Sequence, residues 1–142
     1  MNIELSNESG VVINEADIVS VAEYAMNHMG LNGGCDLAIS IVDESRMSEL
    51  HEEWMDLKGP TDVLSFAMDE VLPNSPDPGI VGDIVLCPQF AQAQARNGLD
   101  AELHLLTIHG LLHCLGYDHA SVSEEEVMFE LQESILAKWQ AR

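Results

Sequence analysis

A small mixed β-sheet covered by about five helices, in an α+β (α/β-like) arrangement, is the fold this sequence predicts, and three observations predict it. Short β-branched runs alternate with longer segments whose apolar residues recur every three to four positions. Turn formers rich in Gly and Pro separate them, and no internal repeat or long linker divides the chain. The 142 residues therefore read as one domain over residues 1–142, a length at which about two thirds of the unfolded surface can be buried.

In chain order, Ile3 to Leu5 and Val11 to Ile13 are short candidate strands flanking the polar turn Ser6-Asn7-Glu8-Ser9-Gly10. The spacing of Ile18, Val21, Ala22, Ala25 and Met29 predicts a helix from Asn14 to about Met29, stopped at Gly30. After the turn Asn32-Gly33-Gly34, Leu37 to Val42 reads as a buried strand. A second helix follows from Glu44 to about Met55, ended by Gly59-Pro60. Asp62 to Phe66 and Ile80 to Leu86 are strands, joined by Leu72 to Gly79, which is rich in turn formers and expected to be mobile. Helices are then expected from Pro88 to about Asn97, Ala101 to about Leu115 and Val122 to about Gln140.

Composition narrows the function classes. The apolar share of 46% is ordinary for a globular protein, and no apolar run approaches the roughly 20 residues that span a bilayer. Met1-Asn2-Ile3-Glu4-Leu5 lacks the basic start and apolar stretch of a secretory signal, so a soluble cytoplasmic protein with no membrane partner is expected. Cys35, Cys87 and Cys114 are odd in number and widely spaced, which suits reduced thiols better than a disulfide framework or a metal knuckle. Five Lys plus Arg against 25 Asp plus Glu give a formal charge of −20. That field favours solubility and cation binding and repels polyanions at long range, so any action on RNA has to rest on local chemistry or a partner.

The chemistry concentrates in His109-Gly110-Leu111-Leu112-His113-Cys114-Leu115-Gly116-Tyr117-Asp118-His119. Asn97-Gly98 turns the chain, Asp100 is a candidate cap and Glu102 suits the positive end of the helix dipole. Leu103, Leu105, Leu106, Ile108, Leu111, Leu112 and Leu115 make the helix apolar on nearly every side, so it should be buried and its polar residues need partners. His109 and His113, four apart, share one face with Cβ atoms roughly 6 Å apart, close enough for both imidazoles to reach one metal ion. Gly116 is placed to close the helix in a left-handed conformation and return the chain, which brings His119 toward the other two.

The spacing is that of the metzincin signature H-E-x-x-H-x-x-G-x-x-H, with Gly110 where the glutamate base would stand. The ligand set predicts one Zn2+ per chain on His109, His113 and His119, with a fourth position for a water whose pKa the metal lowers toward about 7. Peptide hydrolysis is disfavoured by the missing base. The catalytic residue is otherwise unknown; Asp118, before the third ligand, is a candidate either to orient a histidine or to carry the proton, and equally a turn residue bonding its own backbone. His104 lies roughly 140° around the helix from His109 and cannot share its face, so it reads as an ordinary helix residue, as do His28 and His51. Cys114 points about 100° from its neighbour and reads as core.

Gly59-Pro60-Thr61-Asp62-Val63-Leu64-Ser65-Phe66, the later Gly82-Asp83-Ile84 and the histidine motif together, in order and spacing over nearly the whole chain, resemble the YbeY family of bacterial endoribonucleases and ribosomal RNA maturation factors. The resemblance implies a zinc-dependent, single-strand-specific endoribonuclease of ribosomal RNA precursors, engaged in 16S rRNA 3′ end maturation and ribosome quality control. It also implies that His109, His113 and His119 hold the zinc. Many relatives carry an arginine shortly before the Pro-Thr-Asp segment, where this chain has Met55. Arg46 is no simple stand-in, nine helical residues placing it roughly 180° from position 55. Lys58 is the nearest cation and so the candidate substrate-binding residue. Two other readings stay open. One is a zinc amide hydrolase with its base elsewhere; the other is a ribosome-assembly factor with structural zinc, whose acidic surface would suit basic ribosomal proteins.

Overall fold

The computed structural model describes residues 1–142. Its elements follow in the order β1 (Asn2–Asn7), α1 (Glu15–His28), β2 (Asp36–Ile41), α2 (Glu44–Met55), β3 (Val63–Ala67), β4 (Ile80–Leu86), α3 (Pro88–Gln94), α4 (Leu99–Cys114) and α5 (Val122–Gln140). The four strands form one sheet in the order β1-β2-β4-β3, with β1, β2 and β4 parallel and β3 antiparallel to β4. This is the mixed, helix-covered sheet the sequence predicts, with one strand fewer. No helix is long and apolar enough to cross a membrane.

Val11 to Ile13 form no strand. Asn7 turns the chain instead: its Oδ1 accepts from the Ser9 N–H and hydroxyl at 3.0 and 2.6 Å, and its Nδ2 donates to the Val11 carbonyl at 2.9 Å. These bonds hold the segment away from the sheet and leave Val12 98% exposed. The β-branched run signals strand propensity, but side-chain bonding to the backbone outcompetes the ladder here.

Helix ends follow local chemistry. Asn14 and Asp43 cap α1 and α2 by accepting from Asp17 and Arg46 N–H at 3.2 and 2.8 Å. The stop of α2 is Asp56 in the left-handed region (φ 54), ahead of the expected Gly59-Pro60. Asp100 does not cap α4: Gly98 occupies that position without a side-chain bond, and Asp100 sits in the first turn, where its charge opposes the dipole. The segment from Leu72 to Gly79 is pinned rather than loose. Asn74 N–H donates to the Met29 carbonyl at 3.0 Å and Asn32 Nδ2 to the Pro76 carbonyl at 2.8 Å.

The two faces of the sheet differ in cover. Leu37, Ile39 and Ile41 of β2 and Ile84 and Leu86 of β4 enter a core of 26 buried residues shared with α1, α4 and α5. The alternate side chains Val42, Leu64 and Val85 meet Met47 of α2 and Cys87 in a second cluster of five. Helix α4 lies against the well-covered face, with Gly110 turned to Ile84. A Cβ on Gly110 would stand 3.0 Å from Ile84 Cγ2, so the glutamate of the metzincin pattern would press on Ile84 here. Gly82 serves the sheet itself: at φ 151, a Cβ there would meet the Phe66 carbonyl oxygen at 2.1 Å, beside the register shift between β2 and β4.

Candidate metal centre

Helix α4 is buried on most of its circumference, through Leu103, Leu106, Ile108, Leu111, Leu112 and Cys114, which fixes its rotation. That rotation leaves His109 and His113 half-buried at the mouth of a cleft. The helix then ends in a Schellman arrangement: Gly116 N–H donates to the His113 carbonyl and Tyr117 N–H to the Leu112 carbonyl, both at 3.0 Å, with Gly116 at φ 98. The reversal brings His119 back, its ring centroid 5.5 Å from that of His109 and 5.1 Å from that of His113. One nitrogen from each of the three lies within 4.8 Å of the others, a group able to hold a metal ion.

Hydrogen bonds fix how the imidazoles present themselves. His113 donates from Nδ1 to the Tyr117 carbonyl at 2.9 Å, and because a carbonyl only accepts, the proton sits on Nδ1. His109 donates from Nδ1 to Oε1 of Gln132, 2.8 Å away on α5. Both Nε2 atoms are thereby left with lone pairs, and these face each other at 3.1 Å. Two lone pairs at that distance repel unless a cation, proton or metal, lies between them. Tetrahedral ligands about 2.0–2.1 Å from zinc stand about 3.3 Å apart, near the spacing present here. Burial holds the pKa of both rings below the ordinary value, and the neighbouring histidines lower them further. Neutral imidazole is the form a metal binds.

The orienting roles fall to groups the sequence reading did not name. Gln132 and the Tyr117 carbonyl hold the two rings, while Asp118 accepts from the His119 N–H at 2.7 Å through Oδ1. Gln132 had a signal: with Met128, Ile135 and Trp139 it lies on the buried stripe of α5, where a polar side chain requires a partner. Phe129, one turn of α5 earlier, lies 6.1 Å between centroids from both His109 and His119 and roofs the site.

The cleft holds about 680 Å³ and is lined by Thr61 to Ser65 along the outer edge of β3, by the three histidines and by Met55, Tyr117 and Asp118. Met55 is 53% exposed, so it faces the cleft and not the core. Lys58 is exposed beyond α2 and does not line the cleft. Asp62 does, its Oδ1 accepting from Val63 N–H at 2.7 Å and its Oδ2 from Gln94. Of the remaining histidines, His51 bonds the Gly59 carbonyl at 2.9 Å through Nδ1. His104, which does not join the triad, is buried against Trp139 with Nε2 unpartnered. Cys114 is core as expected; burial, with the Asp83 charge behind it, pushes its thiol to about 12 and leaves it inert as a ligand.

Comparison with known proteins adds to this geometry. The family described as endoribonuclease YbeY matches residues 3–140. Proteins named endoribonuclease YbeY from Mycobacterium ulcerans and Mycobacterium tuberculosis are each 50% identical over 150 aligned positions, covering 99% of this chain and 84% and 85% of theirs. A solution structure from Thermotoga maritima, 23% identical, superposes with a TM-score of 0.58 over 98% of this chain and 92% of its own, which extends the likeness to the fold.

Proposed function

The chain belongs to the endoribonuclease YbeY family, and from that premise we propose that it is a zinc-dependent, single-strand-specific endoribonuclease of ribosomal RNA precursors. The observation that carries the reading is the pair of Nε2 lone pairs turned on each other at 3.1 Å by acceptors on both Nδ1 atoms. His109, His113 and His119 are assigned as ligands of one zinc ion, a borderline metal suited to imidazole. When bound there, zinc supplies Lewis acidity to a phosphate oxygen and lowers the pKa of a water.

The protein's own groups do the rest. Gln132 and the Tyr117 carbonyl hold the His109 and His113 imidazoles in their ligand tautomers, and Phe129 lies against the rings of His109 and His119. Asp118 is assigned to proton transfer, because it lines the cleft and only its Oδ1 is taken, by the His119 N–H. A cleft of about 680 Å³ runs beside the β3 edge, and the single-strand preference is assigned to it as part of this reading. Maturation of the 16S rRNA 3′ end and ribosome quality control are the tasks this reading assigns, in the cytoplasm. Basic ribosomal proteins suit a chain of charge −20 as partners.

The test compares labelled single-stranded and duplex RNA, incubated with highly purified wild type and His113→Ala side by side, after chelation and again after zinc is restored. The wild type should cut only the single strand, lose activity on chelation and regain it with zinc, while the variant stays inactive. Equal cleavage by both proteins, or cleavage indifferent to the metal, would overturn the reading.

A further inference from the structure

On the outer face of the sheet a groove of about 620 Å³ lies beneath α2. One wall is the stripe Arg46, Leu50 and Trp54, spaced four apart so that all three descend the same side of the helix. Phe66 of β3 meets Trp54 edge-on, with 6.0 Å between centroids. Trp54 is nonetheless 63% exposed at the groove. The floor carries Asp83 of β4 and Ser40 of β2, neither of which forms a side-chain hydrogen bond with another protein group. An aromatic-walled groove with a few convergent, unspent polar groups is the usual composition of a small-molecule site.

The groove also adjoins the metal cleft. Ala67, at the end of edge strand β3, lines both, and Trp54 precedes Met55, which lines the cleft. A single strand lying in the cleft can therefore cross the β3 edge and place a base on the outer face. Charge decides which part of a nucleotide enters: the Asp83 and Glu8 carboxylates at the groove repel phosphate, while Arg46 at the wall is paired with Glu49 at 3.0 Å. The base goes in and the backbone stays out. A carboxylate offers two acceptor oxygens side by side, and guanine alone among the four bases presents two adjacent donors, N1–H and N2–H, on its Watson–Crick edge.

We propose that this groove is a guanine subsite, in which a nucleotide flanking the cleaved bond stacks its base on Trp54 and donates N1–H and N2–H to Asp83. The assignment rests on the ribonuclease reading above for the identity of the strand, but its test does not require cleavage.

Trp54 supplies the probe, since Trp139, the other tryptophan, is 6% exposed and removed from solvent. Short single-stranded oligoribonucleotides carrying guanine, inosine or adenine at one position are titrated into the full-length protein and Trp54 fluorescence is followed. Inosine lacks only the N2 amino group. The guanine oligonucleotide should quench saturably with about tenfold lower Kd than the inosine one, and Asp83→Asn, checked for an unchanged melting temperature, should erase that difference. Equal affinity for guanine and inosine, a guanine preference retained in Asp83→Asn, or no quenching would overturn the subsite. So would variants that bind RNA normally but lose a protein partner, which would give the groove to that partner. The ribonuclease reading fails separately, through absent metal-dependent cleavage, even where guanine binding is seen.

Discussion

The two faces of the sheet divide the labour of this protein. One is covered by α1, α4 and α5 over 26 buried residues, and its packing sets the rotation of α4 and hence the direction of two histidines. The other is covered by α2 with Phe90 of α3 over a cluster of five, leaving Trp54, Met55, Leu57 and Met68 more than half exposed. The difference teaches that two of the three proposed metal ligands, His109 and His113, ride on the helix whose displacement is most costly, whereas the residues proposed to face substrate sit where side chains can change with little loss.

The largest expected effect tests that contrast directly. Leu111→Ala, at a fully buried position of α4, should lower stability by about 3–4 kcal/mol, whereas Val85→Ala in the smaller cluster should cost about 1–2 kcal/mol. Denaturant melts of both variants measure this; because Val85→Ala removes one carbon fewer, equal losses would mean that the outer face is packed more tightly than the core face. Next in size is Gln132→Leu. It removes the acceptor that fixes the His109 tautomer, so metal affinity should fall about 10–100-fold, read by competition with a chelator. Unchanged affinity would deny Gln132 the orienting role.

The thinly covered side is probed by Met55→Arg. Because Met55 is exposed and lines the cleft, a guanidinium there should add a charge-assisted phosphate contact and tighten RNA binding by about 1–2 kcal/mol without lowering the melting temperature. Titrations at two salt concentrations separate this local contact from relief of the long-range repulsion, which salt screens. A destabilised variant with unimproved affinity would remove position 55 from the site.

The smallest effect concerns a flaw in the well-packed face. His104 Nε2 is buried without a partner, so His104→Leu should stabilise the fold by about 1 kcal/mol at pH 8. Burial holds this imidazole's pKa below its ordinary value, against the opposing charges of Asp17 and Asp100. The folded state therefore refuses a proton that the unfolded chain accepts as pH falls below about 6.5, and stability declines in that window. The variant should show a shallower decline in melts between pH 8 and 5; an identical slope would show that His104 stays neutral throughout or is compensated.

Periodicity made most of this fold readable. The strand Ile80 to Leu86 and the helix Val122 to Gln140 match the expected bounds, and β2 and α2 differ by a residue at most. The histidine triad was legible because spacing four on a helix and a glycine turn are local geometry. What escaped was set by tertiary contact or by competition at the backbone. Val11 to Ile13 carry strand propensity, but the Asn7 turn decides their path. Gln132 acts across 23 residues of sequence, and the crowding of Gly110 against Ile84 exists only once α4 lies on the sheet. The consequence of Met55 depended on whether it faced the core or the cleft, which spacing alone did not decide.

The central claim is that three histidines, two of them locked as Nδ1–H tautomers, hold one metal ion. Elemental analysis of purified wild type and His119→Ala tests it most directly. About one zinc per chain is expected in the wild type and a sharp fall in the variant, because a three-ligand site loses its geometry with any one ligand. Zinc content unchanged in His119→Ala would contradict the claim and leave only the helix pair His109 and His113.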